Sequence, residues 1–226
     1  MLDSLDALKE KMVLVCKALQ KQRLLDGYGH VTARLPDGRI LSTPHMPPGK
    51  VTVRDLIILD REGNKLEGAG EPNGETPMHT SIYKARPDVE CILHYHPDEL
   101  VVVAAAGQEI KVIANCAVHF HRGTPIYDSP LLIRNHTLGD QVAATLGDRT
   151  AVLLRGHGGT VVASNLDMLL RRGVDFVKSA RIQIMAAPLG QVKTHSKEEC
   201  EQMAAGHDRP DASRRHVDFY ISEIFE

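Results

Sequence analysis

The chain has 226 residues, 42% of them hydrophobic and 25% charged, with a formal net charge of −2. That length fits one large domain able to bury a core without disulfide help. A near-neutral balance with scattered basic residues gives no footprint for nucleic acid or an anionic membrane, and no apolar run approaches the roughly 18 residues of a membrane-spanning helix.

The four cysteines, Cys16, Cys91, Cys116 and Cys200, stand far apart with no C-x-x-C pair. They read as reduced thiols, which points to a cytoplasmic protein. The N-terminal "MLDSLDALKEK" is acidic and amphipathic, unlike a signal peptide. The compositional oddity is twelve histidines, six of which (His94, His96, His119, His121, His136 and His157) lie mid-chain. Histidine ligates metals and titrates near neutrality, so the bias favours a metal or acid–base site.

In chain order, Leu5, Leu8, Met12, Val15 and Leu19 recur at helical spacing, predicting a helix from Ser4 to Leu25 ended by Asp26-Gly27. "HVTARLPDGRILST" alternates around Pro36-Asp37-Gly38 as a hairpin, and "LIILD" with "KLEG" reads as a second strand pair. "ETPMHTSIYKARPD" predicts a helix capped by Thr76, with Pro77 at its first position and its end before Pro87. "CILHYH" follows as a strand, then a short helix from Pro97 to Ala106. "EIKVIANCAVHF" is strand-like, and Thr137–Leu146 reads as helical. "TAVLLRGHGGTVVAS" reads as strand, glycine-rich turn and strand, and Asn165 opens a long helix to Ala187. From Gln191 the chain is polar and peripheral, although "VDFYISEIF" is apolar enough to pack on a neighbour. With no repeat or linker, one α/β domain over residues 1–226 is the economical reading.

The chemistry concentrates in "ECILHYHP". On a strand His94 and His96 share a face, about 7 Å apart at Cα, a spacing that suits two ligands converging on one ion. Two half-exposed histidines at a strand end are the alternative for an H-x-H met alone. A later apolar strand, Ala151–Leu154, runs into "RGHGG", where flanking glycines allow close backbone approach and expose His157. Three histidines with an open position are how catalytic zinc-type sites are built. Glu75, just before the helix that leads back to the H-x-H strand, is either a ligand or acid–base group, or simply a negative charge favoured at a helix start. There is no G-x-S-x-G, no activated cysteine, and no dinucleotide fingerprint around Gly27-Tyr28-Gly29.

"GETPMHTSIYKARPDVECILHYHP" together with "AVLLRGHGGTVVASNLDMLLRRGVDFVKSARIQ" resembles the class II aldolase/adducin family over nearly the whole chain to about Leu189. The resemblance implies a three-layer α/β/α sandwich with a mostly antiparallel central sheet, in a homotetramer with active sites between subunits. It matches His94, His96 and His157 to the metal-binding histidines, for one divalent ion per subunit (Zn, Mn, Fe or Co), and Glu75 to the catalytic glutamate. The family's sugar-phosphate enzymes cradle phosphate with small polar patches. At the matching positions stand Gly29-His30, Thr43-Pro44 and Asn73-Gly74: against the family pattern an asparagine has become histidine, a glycine has become proline, which has no N–H to donate, and the hydroxyl pair before the glutamate is gone, whereas hydroxyls and backbone amides are what such a cradle needs.

"GYGHVTARL" instead is similar to the "GHVS-R" version found in decarboxylases of hydroxylated aromatic or pyridine dicarboxylates. That implies a small carboxylate substrate, with His30 as a second catalytic group and His30, Arg34, Thr43, Asn73 and Gly74 as substrate contacts. His119, in a second H-x-H with His121, is a further candidate: period 2 would put both on one face, and the resemblance implies that this segment lies near the active site. The expected function is a metal-dependent carbon–carbon lyase, a decarboxylase first and an aldolase or epimerase second. An Fe(II)-dependent oxygenase or a non-catalytic adducin-like module stands behind these.

Overall fold

The computed structural model describes residues 4–207 and 210–226. Period-2 alternation in the strands sorts their side chains onto two faces of a single sheet. Val31 and Ala33 of β1 (His30–Arg34) join one apolar core with Leu93 and Tyr95 of β5 (Cys91–Tyr95). Ile92 of β5, Ile40 of β2 (Ile40–Ser42) and Ile57 and Leu59 of β3 (Ile57–Leu59) point into a second core. The remaining strands are β4 (Lys65–Glu67), β6 (Ile126–Tyr127), β7 (Ala151–Leu154) and β8 (Gly158–Ala163). The eight are ordered β4-β3-β2-β1-β5-β8-β7-β6, and every pairing is antiparallel except β6 with β7.

Both apolar faces must be covered, which gives a three-layer α/β/α arrangement. On the first lie α1 (Leu5–Lys21), α3 (Asp98–Ala105) and α5 (Leu166–Ala186). On the second lie α2 (Thr76–Ala85) and α4 (His136–Leu146), packed on each other. Ser4, Asn135 and Asn165 cap α1, α4 and α5 by accepting the backbone N–H three residues on. The C-terminal stretch is more integrated than its polarity predicts. After α6 (Lys197–His207), α7 (Pro210–Ser222) packs on α5 and α1 and buries Val217 in the first core.

Two expectations are corrected. The segment 109–120 is not a strand: it ends in a 3-10 helix, Asn115–Phe120, lying on α5. Its backbone N–H groups at Ile110 and Lys111 donate to the Thr124 hydroxyl and the Gln183 amide oxygen rather than to a neighbouring strand. The edge it would have occupied beside β7 is taken by the two-residue β6, too short to give a periodic signal. Thr76 is inside its helix, and Glu75 holds the N-cap position without making a side-chain cap bond. That frees its carboxylate for another use.

Candidate active site

The site forms where β1, β5 and β8 meet. Register sets His30 opposite His94, and His94 opposite Thr160, in one row across the sheet facing α2. Leu154 and Gly158 pair across the β7–β8 turn, which brings His157 beside the end of β5. The His96 and His157 rings stack with centroids 4.9 Å apart and planes 12° from parallel. Glu75 arrives from the start of α2. One ligand atom from each of Glu75, His94, His96 and His157 lies within 4.8 Å of every other. The structure therefore unites four residues spread over more than eighty positions of sequence.

The hydrogen bonding around these groups fixes which atoms face inward. The His94 Nδ1 is 3.1 Å from the Gly159 carbonyl, which can only accept, so Nδ1 carries the proton and Nε2 presents a bare lone pair to the cluster. His96 Nε2 lies 2.9 Å from that atom. Glu75 is split between two tasks. Its Oε1 accepts the Ile133 N–H at 2.8 Å, and its Oε2 faces His157 Nε2 at 3.4 Å, His94 Nε2 at 3.5 Å and His30 Nε2 at 3.9 Å. Burial would push this carboxyl up, but contacts with His157, His30 and His94 outweigh it and hold the group ionised, far below the usual range. Burial lowers the His94 imidazole to about 4, partly offset by Glu75. Burial together with the facing His94 and His157 lowers His96 to about 3. Two histidines kept neutral and one carboxylate kept charged are the protonation states that metal ligation requires, and the donor set fits a divalent cation.

A buried chain continues away from the cluster. His30 Nδ1 is 2.8 Å from His79 Nε2, His79 Nδ1 is 2.7 Å from the Thr32 hydroxyl, and that hydroxyl is 2.8 Å from Tyr83 OH. His79 and Tyr83 stand on α2, one and two turns after Glu75, while His30 and Thr32 share one face of β1. His79 was not singled out from the sequence. The only signal it offered was the four-residue spacing from Glu75 and from Tyr83 on one helix face.

The cluster opens into a cleft of about 500 Å³ bordered by Tyr28, His45, Asn73, Gly74, Leu132 and Arg134. His30, Asn73 and Gly74, expected at substrate, line it. Thr43 lies beneath: its hydroxyl accepts the Val31 N–H at 3.1 Å, and its carbonyl accepts from Asn73 Nδ2 at 2.8 Å. It supports Asn73 rather than reaching the cleft.

Arg34 and His119 are not brought to the site. Arg34 ends β1 at the far side, donating to the carbonyls of Val89, Tyr83 and Arg86 at 2.9–3.1 Å, with its guanidinium over the Tyr83 ring. It closes the C-terminal end of α2. His119 sits on the opposite face of the sheet, 3.5 Å from Asp175 of α5, because its segment is a 3-10 helix and period 2 does not apply. In their place the structure brings Arg134 to the cleft. A Cβ built on Gly74 would lie 3.7 Å from Arg134 Nε, and Arg134 forms no ion pair among the described residues. It sits in a loop without periodic signal, so only its neighbour Ile133, tied to Glu75, explains its place.

A model of the family described as Class II Aldolase and Adducin N-terminal domain matches residues 10–184. The 3,4-dihydroxyphthalate decarboxylase of Arthrobacter keyseri is 30% identical over 196 residues, covering 79% of each chain. An L-fuculose phosphate aldolase of Escherichia coli O6:H1 is 27% identical over 72% of this chain and 76% of its own. Among solved structures, L-fuculose 1-phosphate aldolase from Glaciozyma antarctica PI12 superposes with a TM-score of 0.85 at 21% identity, over 97% of this chain and 88% of that one.

Proposed function

The chain belongs to the class II aldolase and adducin family, and from that membership we propose that it is a divalent-metal-dependent decarboxylase of a hydroxylated aromatic carboxylate or dicarboxylate. The observation that carries this reading is the cleft itself. Beside an ionised Glu75 it presents histidines and one arginine, Arg134, that forms no ion pair among the described residues, where a sugar phosphate would need hydroxyls and backbone donors. Pro44 has no N–H to give, the buried Thr43 hydroxyl accepts the Val31 N–H and donates to the Val31 carbonyl, and Asn73-Gly74 carries no hydroxyl. Relatives at about 30% identity that act on a dihydroxyphthalate support the same reading.

In this proposal His94, His96 and His157 hold one divalent ion per subunit, with Glu75 beside it. Such an ion supplies Lewis acidity toward the substrate's hydroxyl and adjoining oxygens. Glu75, ionised before substrate arrives, takes the proton of the ortho hydroxyl and returns it to the ring carbon bearing the carboxylate. The bond to CO2 then breaks, its electron pair returns through the ring to the oxygen, and solvent reprotonates that oxygen. His30 hydrogen-bonds the substrate from the β1 side, and Arg134 with Asn73 binds a second carboxylate at the cleft mouth. Tyr28 and Leu132, both exposed at that mouth, support completion of the cleft by a neighbouring subunit in a homotetramer.

The test is elemental analysis of the purified protein, followed by CO2 release from ortho-hydroxy aromatic mono- and dicarboxylates by the metal-loaded enzyme. Stoichiometric CO2 with the ring product supports the proposal. No CO2 across the panel, with cleavage of a ketose phosphate, makes the enzyme an aldolase instead. Turnover that strictly requires Fe(II) and O2 makes it an oxygenase.

A further inference from the structure

All four groups of the chain His30–His79–Thr32–Tyr83 are able either to donate or to accept at their contacts, so its direction is set by its ends. At the inner end stands Tyr83. The residue is 5% exposed, and the only hydrogen-bond partner of its hydroxyl among the described residues is the Thr32 hydroxyl. A buried phenol has one proton to place, and an unmade O–H bond there costs about 1–3 kcal/mol. Tyr83 therefore donates to Thr32. Thr32 has a single proton, which must go to its other neighbour, His79 Nδ1.

His79 is 1% exposed, and burial holds it well below the ordinary histidine range, so it is a neutral ring with one N–H. Accepting at Nδ1, it donates from Nε2 to His30 Nδ1. The outer end agrees with the inner one. With Nδ1 occupied as an acceptor, His30 carries its proton on Nε2, the atom 3.9 Å from the Glu75 carboxylate. Reversing every bond would instead strand the Tyr83 proton.

We propose that Tyr83, Thr32 and His79 form a one-way relay that fixes His30 as the Nε2–H tautomer, making it a hydrogen-bond donor to the cleft and excluding it as a metal ligand. The four ligand atoms of the cluster come from Glu75, His94, His96 and His157, and His30 is not among them although its ring centroid is only 5.0 Å from that of His94. Tyr83, Thr32 and His79 are positioning residues, since none of them borders the cleft. The catalytic consequence rests on the decarboxylase reading above, whereas the tautomer does not. A neutral Nε2–H steadies oxygen charge on the substrate, and Glu75 carries the proton to carbon.

The experiment is NMR of the full chain, selectively 15N-labelled at histidine and loaded with Zn2+, with His30 assigned by loss of its signals in His30→Gln. The expected result is a protonated Nε2 and a bare Nδ1 on His30. In Thr32→Val and Tyr83→Phe the His30 pattern moves toward a tautomer mixture, and in Thr32→Ser, which keeps the hydroxyl, the wild-type pattern returns. Zn2+ affinity stays within about twofold in all three variants. A proton on His30 Nδ1 in the wild-type protein overturns the assignment. So does a His30 pattern unchanged in Thr32→Val, which would leave Glu75 alone as its cause. Since no substrate is present, failure here is separate from failure of the decarboxylase reading. If that reading holds, turnover falls about tenfold in Thr32→Val with KM little changed, and Thr32→Ser restores it.

Discussion

Gly158 shows why the turn after β7 reads Gly-His-Gly-Gly. Its φ is +137°, and a Cβ built there would lie 2.3 Å from the Tyr95 carbonyl oxygen and 2.9 Å from His96 Cα. Both are backbone atoms of the strand carrying the H-x-H pair, so no side-chain rotation relieves the overlap. For Gly158→Ala, the backbone conformation costs about 1–3 kcal/mol and the overpacking about as much again. The chain relieves part of this by moving the start of β8 off β5, and that displaces His157, the preceding residue, from its stacked place against His96. The metal-free variant should lose about 3 kcal/mol of unfolding free energy in urea. Its Zn2+ affinity, measured by competition with a chromophoric chelator, should fall more than tenfold. Gly156→Ala is the control: its φ is +70° with nothing within 4 Å of the added methyl, so it should cost only about 1 kcal/mol and leave Zn2+ binding unchanged. A Gly158→Ala protein that binds Zn2+ like wild type, and is no less stable than Gly156→Ala, would refute this account of the turn.

Arg34→Met should cost about 2–3 kcal/mol in urea unfolding, since three carbonyls at the end of α2 lose a charged donor, while KM stays constant. A raised KM at unchanged stability would return Arg34 to the substrate. Arg134→Gln should raise KM about fivefold, roughly 1 kcal/mol, for an aromatic dicarboxylate and leave the matching monocarboxylate unaffected. Equal effects on both substrates would remove Arg134 from carboxylate recognition. The metal-free protein should lose stability in acid: His94 titrates near 4 when folded and near 6.5 when unfolded, so over that window the unfolded chain holds the extra proton. Stability is full above pH 6.5 and falls with pH by up to about 3 kcal/mol from His94, with buried His79 adding loss of the same sign. Urea midpoints that stay flat from pH 7 to 4.5 would contradict this.

Elements with strong periodicity or firm punctuation were legible from residues alone. The β1–β2 hairpin around Pro36-Asp37-Gly38, the end of α2 before Pro87 and the β7–β8 turn all stand where expected, whereas α2 begins one residue earlier, at Thr76. Segment 109–120 misled because its β-rich composition reports only a preference for burial, and here burial is achieved against α5. Arg34 misled in another way. Strand alternation places it on the same face as His30, but four residues along a strand move a side chain about 13 Å, to the other end of α2. Sharing a face is therefore a poor guide to sharing a site.

The site divides along the same line. His94, His96, His157 and Glu75, which the structure brings together as a cluster that could hold a metal ion, could be singled out because a divalent ion accepts few side-chain types, so chemistry narrows the choice before geometry is known. Arg134 and His79 answer to position alone, and position is set by contacts far apart in sequence. The bond from the Ile133 N–H to Glu75 Oε1 joins the two classes. It satisfies one oxygen of the carboxylate and leaves the other for the cluster, and in doing so it holds the neighbouring Arg134 at the mouth of the cleft. A change in the 128–135 loop that alters substrate preference must therefore either preserve this N–H or change the basicity of Glu75. With Glu75 and Arg134 in the roles proposed above, specificity and proton transfer are coupled through one backbone hydrogen bond, and they cannot be tuned independently from that loop.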